Sequence, residues 1–283
     1  MPGDAVLPTL TRAQAPLTHS VPVRDEHGVE RTLSIPAERA LTVYVDRKEL
    51  ITLMTLGAHP EWLVLGYLLN QRLVASAHDI ESISVDWEVG AAAVRTRHGI
   101  ADLEQKTAQR VVTTGCGQGS VFGALMDGVE KIVLPPTRLT QSDLYALVDA
   151  IRLHDSVYKT AGSVHGCALF EGARMRCFVE DVGRHNAIDT IAGWMAMHGE
   201  VGAGKVFYTT GRLTSEMVIK AAQMRVAVLV SRSGMTQMGH AVAHTLGLCA
   251  IGRATHRRFL CFSAPERLLW QTEAAAQRAP VQA

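Results

Sequence analysis

The chain has 283 residues, of which 47% are hydrophobic and 19% charged, and its formal net charge is +1. That is enough for one large domain or two modest ones with a real core, and too apolar for a disordered segment. Near-neutrality argues against a general binder of nucleic acid or membrane surfaces, although it allows a local basic patch. Only 5% of residues are aromatic, which leaves little for base-stacking platforms.

The first twenty residues lack the basic start and continuous apolar core of a secretory signal, and Pro2, Pro8 and Pro16 interrupt them. They read as a flexible arm. No apolar run reaches the ~18 residues of a membrane span. Five cysteines, Cys116, Cys167, Cys177, Cys249 and Cys261, are odd in number and widely spaced, which suits a reducing cytoplasm better than a disulfide framework. No C-x-x-C pair is present, so no cysteine-built tetrahedral zinc site is expected.

From Val21 the pattern is one of short strands, with residues 29–35 and 41–45 on either side of Pro36-Ala37-Glu38-Arg39. Residues 46–56 fit neither period well. A helix is expected from Pro60, which suits a first turn, with Trp62, Leu65, Leu68 and Leu69 on one face. Residues 80–85 and 91–96 read as strands across a turn at Val89-Gly90. Residues 21–135 thus form a small N-terminal α+β subdomain.

Within it lies Thr113-Thr114-Gly115-Cys116-Gly117-Gln118-Gly119-Ser120. Glycines on either side of Cys116 add no shielding side chain and permit unusual backbone angles. Cysteine is more often buried and inert, so a thiol in this setting reads either as a reactive group or as a plain loop cysteine. Ser120 is placed to cap a short apolar piece over residues 121–126. The subdomain boundary is set at Pro135-Pro136.

Residues 136–270 are more regular. A helix over residues 139–159 has Thr140 as N-cap and Leu144, Leu147, Val148 and Ile151 at helical spacing. Strands over 164–170 and 175–179 flank the turn Glu171-Gly172-Ala173-Arg174. A helix over 187–198 follows. Then come strands and helices in alternation: 206–208, 213–224, 226–230, 237–246 and 248–251, with a last strand at 259–262. Such alternation calls for an α/β fold whose sheet is at least partly parallel and covered by helices. Residues 271–283, rich in Ala and Gln, read as a frayed tail.

Three strand-to-helix junctions carry an arginine: Arg184 in Glu180-Asp181-Val182-Gly183-Arg184-His185-Asn186, Arg212 in Thr209-Thr210-Gly211-Arg212, and Arg232 in Ser231-Arg232-Ser233-Gly234. Ligands gather at such junctions in open α/β sheets. A cation at a helix start is unfavourable by roughly 0.3–1 kcal/mol. One such arginine is unremarkable, pairing with Asp181 or Glu216 or reaching into solvent. Three suggest an anion held by guanidinium and backbone N–H groups. The run Arg253-Ala254-Thr255-His256-Arg257-Arg258 is a solvated turn or a phosphate-binding one. Asp181, Thr214 and Ser215 have a plainer reading as caps. His165, entering a strand, reads as structural or as a proton carrier.

Taken together, these motifs resemble the FdhD family, the sulfur carrier proteins required for formate dehydrogenase activity. The match rests on Glu180-Asp181-Val182-Gly183-Arg184-His185-Asn186-Ala187-Ile188-Asp189, on Gly211-Arg212-Leu213-Thr214-Ser215-Glu216-Met217, and on Val230-Ser231-Arg232-Ser233. Thr160–His165 looks like the family's Gly-Gly-x-His turn with Ala161 in place of one glycine. The resemblance spans about residues 20–268. It implies a cytidine-deaminase-like mixed sheet flanked by helices, without zinc, and a cytoplasmic homodimer.

It further implies a sulfurtransferase. Sulfur would pass from a cysteine desulfurase to Cys116 as a persulfide, and on to a molybdenum bis(pyranopterin guanine dinucleotide) cofactor destined for the formate dehydrogenase catalytic subunit. Arg253, Ala254, Thr255, His256, Arg257 and Arg258 fall on the family's cofactor-binding stretch, for which a guanine nucleotide such as GDP would be a mimic. Arg184, Arg212 and Arg232 are further candidates for phosphate contact, and His165 for proton transfer. The family loop usually reads Cys-x-x-Cys, whereas here the second position is Gly119. The alternative is therefore a cofactor-binding chaperone that transfers no sulfur.

Overall fold

A computed structural model of the chain describes residues 6–100 and 129–271. Cys116, Gly119, the helical piece expected at 121–126 and nearly all of the tail lie outside the described residues. The described residues fall into two compact units, one of 6–100, 155–166 and 179–199, the other of 129–154, 167–178 and 200–271. Each unit takes three separate segments, so the contiguous division expected at Pro135-Pro136 does not match the packing. Residues 155–166 and 179–199 fold with the N-terminal part.

The first unit contains a five-stranded sheet in the order β1-β6-β7-β4-β5 and a separate ribbon, β2-β3. Its strands are β1 (Thr9–Leu10), β2 (Thr18–Arg24), β3 (Glu30–Pro36), β4 (Arg39–Val45), β5 (Lys48–Thr55), β6 (Ile80–Asp86) and β7 (Ala91–Thr96). The segment read as a flexible arm is tied down from Thr9. β1 pairs in parallel with β6, while the Thr11 hydroxyl and the Ala13 N–H both donate to Oε1 of Glu61, each at 2.6 Å. Residues 46–56, which fit neither period, form the turn of a hairpin and its return strand. Asp46 and Arg47 both have positive φ, 46° and 71°, as a two-residue hairpin turn matching strand twist requires. Asp46 holds that shape without glycine because its carboxylate accepts from the N–H and hydroxyl of Thr96.

Helix α1 (Pro60–Asn70) begins at the expected proline. It covers a core that includes Leu41, Val43, Leu53, Leu63, Val64, Ile80 and Ile83. The short helix α3 (Val157–Ala161) and the longer α4 (Arg184–His198) complete this unit. α1 and α4 cross at very short range through two glycines. A Cβ built on Gly193 would lie 1.9 Å from the Trp62 carbonyl oxygen, and one on Gly66 would lie 1.7 Å from that of Asp189. The Asn70 side-chain amide donates to the buried Asp189 carboxylate at 2.7 Å beside this contact.

The second unit is organised by a six-stranded mixed sheet in the order β10-β9-β11-β12-β13-β14. Strands β9 (His165–Glu171) and β10 (Arg174–Asp181) form the expected hairpin, and the boundary between units falls within both. Strands β11 (Lys205–Thr209), β12 (Val228–Ser231) and β13 (Cys249–Thr255) are mutually parallel, while β14 (Arg258–Ser263) returns antiparallel to β13. A short parallel pair, β8 (Leu139–Thr140) with β15 (Leu268–Leu269), lies apart. Every residue of β11 and β12 is buried, as expected of strands covered on both faces.

Helix α2 (Gln141–Leu153) supplies Leu144, Leu147 and Val148 to a core with Phe170, Val206, Val228 and Ile251. Thr140 caps it as anticipated, accepting from the Asp143 N–H at 3.0 Å. The helix expected to run to residue 159 stops at Leu153, because His154 is extended and Ser156 caps α3 anew. The crossover helices are α5 (Ser215–Gln223) and α6 (Gln237–Leu246). The fold is thus a mixed α/β one with several sheets and flanking helices.

Candidate functional site

The carboxyl ends of β11, β12 and β13 lie side by side in the second unit, and short hydrogen bonds lock their junctions into one edge. The Gly211 N–H donates to the Thr209 hydroxyl, the Ser231 hydroxyl to the Gly211 carbonyl at 2.6 Å, and the Ser233 N–H back to the Ser231 hydroxyl at 2.9 Å. Backbone bonds continue the weave: Arg232 N–H to Thr209 O at 3.2 Å, Leu213 N–H to Gly234 O at 3.0 Å, and Arg253 N–H to Ser233 O at 2.8 Å. These serines and threonines consume the junction's own donors and acceptors.

Arg212, Arg232 and Arg253 all project as exposed side chains from this edge. Arg232 is close enough to Tyr208 to favour its phenolate, although burial outweighs that and pushes the phenol up to about 12. The reading of Arg212 as partner of Glu216 does not hold. Glu216 faces Lys220 one turn along α5 at 3.5 Å, and both side chains are buried. A buried lysine of this kind needs such a carboxylate.

The basic run joins β13 to β14 as expected. Arg253 and His256 sit at positive φ, 52° and 51°, the first at a register shift within β13 and the second in the turn to β14. Arg253, Thr255, His256 and Arg258 are exposed, whereas Ala254 is buried in the core. Arg257 is already engaged: its guanidinium lies 3.7 Å from the Asp149 carboxylate and 4.8 Å from the Tyr145 ring centre. Arg212, Arg232, Arg253 and Arg258, together with Arg257, which stays exposed beside Asp149, make up the exposed guanidinium set of this unit's strand edge. A Cβ on Gly252 would meet the Phe262 ring at 2.7 Å and the Ser233 carbonyl at 3.0 Å. The absence of a side chain there is what lets the hairpin lie against the Ser231–Gly234 junction.

Arg184 and His165 belong to the first unit. Arg184 opens α4 directly after Gly183 and is only 4% exposed. Its Nε has no hydrogen-bond partner among the described residues. It does not pair with Asp181, whose oxygens are taken by the Thr55 hydroxyl and by donors from Leu56, Gly183 and Asn186. Burial raises the Asp181 pKa, and these donors pull it part of the way back. Nor is Asp181 the N-cap, a position held by Gly183. Glu180 instead accepts from the Val157 and Tyr158 N–H groups and so holds the start of α3. The acidic half of this long motif is structural. His165, half-buried, opens β9 after Gly162 and Ser163, both at positive φ.

Two features escaped the sequence reading. In the first unit a cavity of about 700 Å³ is lined by Leu10, Arg12, His59, Glu61, Trp62 and His198, among others. His59 stacks on Trp62 at 4.5 Å, and burial lowers the His59 pKa against the pull of Glu61. A polar His59-Pro60-Glu61-Trp62 entering an apolar helix was the signal available. In the second unit the sulfurs of Cys249 and Cys261 lie 4.0 Å apart.

The described thiols differ widely. Cys167 is fully buried and donates to the Thr209 hydroxyl at 3.3 Å. Burial pushes Cys177 up to about 12. Cys249 is raised by its hydrogen bond to Cys261 and by burial, and that same bond lowers Cys261. Among the described residues, no three or more His, Cys, Asp or Glu side chains gather as a metal site would need. No described helix is long and apolar enough to cross a membrane.

The sequence profile of the FdhD/NarQ family matches residues 36–269, which takes in both units and every junction above. The chain belongs to the FdhD/NarQ family. Among its relatives, the sulfur carrier protein FdhD of Halalkalibacterium halodurans is 28% identical over 252 residues, covering 88% of this chain and 93% of that one. The protein of the same name from Staphylococcus haemolyticus is 28% identical over 249 residues, covering 87% and 94%. A crystal structure from Desulfotalea psychrophila, of a protein provisionally named as a formate dehydrogenase accessory protein, superposes with a TM-score of 0.73. It covers 90% of this chain and all of that one at 24% identity, a likeness of fold.

Proposed function

We propose that this FdhD/NarQ-family chain is a sulfur carrier for the maturation of formate dehydrogenase. It takes sulfur from a cysteine desulfurase as a persulfide on Cys116 and delivers it to a molybdenum bis(pyranopterin guanine dinucleotide) held as substrate. The observation that carries this reading is the family match over residues 36–269, with relatives named as sulfur carriers along nearly their whole length. The exposed arginines Arg212, Arg232, Arg253 and Arg258 supply guanidinium forks suited to the diphosphate of such a dinucleotide. The reading gives the chain a cytoplasmic homodimer as its working form.

In the loading step the Cys116 thiolate attacks the outer sulfur of the donor persulfide. A new S–S bond forms at Cys116, the old one breaks, and the desulfurase cysteine leaves as a thiolate. Such exchange depends on thiolate fraction and access, and glycine on either side of Cys116 favours access. The buried, raised Cys177 and Cys249 and the fully buried Cys167 are poor rivals for that role.

A second reading, a chaperone that binds the cofactor without transferring sulfur, is favoured by one observation: Gly119 stands where the family loop usually has its second cysteine. Maturation of formate dehydrogenase with Cys116→Ala protein separates the two. The sulfur-carrier reading expects active enzyme to be lost, and full activity with that variant would refute it in favour of the chaperone.

A further inference from the structure

Cys249 on β13 and Cys261 on β14 bracket the basic hairpin. Their sulfurs are 4.0 Å apart, and the strand register breaks between them. Ala250 pairs with Ser263 and Ile251 with Cys261, so Phe262 is an extra residue on β14. A bulge of this kind bends the strand and re-aims its side chains. Cys261 pairs with Ile251, so Cys249, two residues back along β13, is its diagonal neighbour.

The two thiols are unequal in a way that mere packing does not require. Cys249 is fully buried and held protonated by its bond to Cys261 and by burial. Cys261 is half-buried on β14, the edge strand of the sheet, where its sulfur meets Cys249 and also donates to the Ser263 carbonyl at 3.4 Å, and its pKa is lowered by the contact with Cys249. An accessible, low-pKa thiol beside a resolving thiol is the arrangement found in reactive cysteine pairs. An edge strand held on one side only can yield the ~2 Å that separates this contact from a ~2.05 Å disulfide bond.

We propose that Cys249 and Cys261 form a dithiol site that accepts sulfane sulfur from a persulfide and releases it as hydrogen sulfide. The Cys261 thiolate attacks the outer sulfur of R–S–SH, R–S⁻ leaves, and Cys261–S–SH forms. Cys249, its sulfur 4.0 Å from that of Cys261, passes its proton to the terminal sulfur of that persulfide and, as the thiolate so formed, attacks the inner sulfur, and H₂S leaves. The two cysteines end as a disulfide, oxidised by two electrons, and the sulfane sulfur is reduced by the same two. A small cellular thiol such as glutathione, or a dithiol reductant, returns the pair to its starting state. The biological source of the sulfur rests on the sulfur-carrier reading, whereas the chemistry does not.

The test treats reduced full-length protein with glutathione persulfide, following sulfide release and mapping peptides without reduction. Wild type is expected to release about one equivalent of sulfide per chain and to acquire a Cys249–Cys261 cross-link. Cys249→Ser should keep a persulfide on Cys261, a gain of ~32 Da, and lose the matching sulfide burst. Cys261→Ser should show neither. Wild type in which Cys261 stays unmodified, or in which sulfide appears without the cross-link, would overturn the proposal whatever the variants do. Cys116→Ser separates this idea from the sulfur-carrier reading. A cross-link that forms there while wild-type Cys116 never loads from a desulfurase leaves the dithiol standing alone. Loading of Cys116 with an inert hairpin pair leaves only the carrier.

Discussion

Replacing Gly193 with alanine tests the tightest packing in the first unit. The new Cβ would lie 1.9 Å from the Trp62 carbonyl oxygen and 2.9 Å from the Trp62 Cα. Even a tight contact needs roughly 1.3 Å more, and backbone of α1 cannot swing aside as a side-chain tip can. If α1 and α4 separate by that amount along the ~16 Å length of an 11-residue helix and over a width of about 5 Å, the void is about 100 Å³. At about 24 cal/mol per Å³ that costs about 2.4 kcal/mol. Weakening the buried Asn70–Asp189 hydrogen bond adds about 1 kcal/mol. For a domain of this size the sum lowers Tm by about 7–14 °C. Thermal unfolding followed by circular dichroism measures it, with Gly234→Ala as control, since a Cβ there meets nothing within 4 Å. A Gly193→Ala protein melting within about 2 °C of wild type would refute the packing argument.

Asp181→Ala should be at least as damaging. It strips a buried acceptor from the donors of Thr55, Leu56, Gly183 and Asn186, and each unsatisfied group costs about 1–3 kcal/mol. Urea unfolding should show a lower midpoint, with Asp181→Asn between it and wild type. Glu200 lies against Arg176 and Lys205, and its hydrogen bond from Arg176 lowers its pKa. A depressed folded pKa gives stability that is present above the unfolded value of about 4.3 and is lost as pH falls through the folded one. Glu200→Gln should therefore be less stable than wild type at neutral pH, and the gap should close in acid. The raised pKa of Asp181 works in the opposite sense over the same range, so the difference between the two proteins carries the test rather than either profile. Gly252→Ala pushes the basic hairpin off Ser233 and should weaken GDP binding several-fold by calorimetry with only a modest loss of stability.

Local chemistry was the legible part of this fold. Pro60 at a first turn, Thr140 as a cap and the Glu171–Arg174 hairpin were readable because each depends on neighbours in sequence. The return strand β5 was not, since its turn is made by Asp46-Arg47 and held by Thr96 fifty residues away. The interleaving of the units was invisible for the same reason. Nothing near residues 155–166 says that they belong with the N-terminal segment. Among the site residues, Arg212, Arg232 and Arg253 came out on one edge because alternating strands and helices put those junctions there. Arg257 also faces Asp149 and Tyr145 on α2 while remaining exposed, contacts that its neighbours in sequence do not announce. The Cys249–Cys261 contact depends on the register of β14 against β13, which alternation does not encode.

The acidic residues of the longest motif also changed meaning. Glu180 and Asp181 stood beside Arg184 in sequence, yet each spends its oxygens on backbone and side-chain donors of its own unit. The exposed arginines of the strand edge come from junctions of the second unit, and the proposed sulfur-bearing residue, Cys116, is in none of those junctions. The central claim is therefore about Cys116, and mass spectrometry addresses it most directly. After incubation with a cysteine desulfurase and cysteine, the account predicts a gain of one sulfur, ~32 Da, on the peptide carrying Cys116, removed by reduction. A Cys116 peptide that stays unmodified under conditions in which the desulfurase is charged would contradict it.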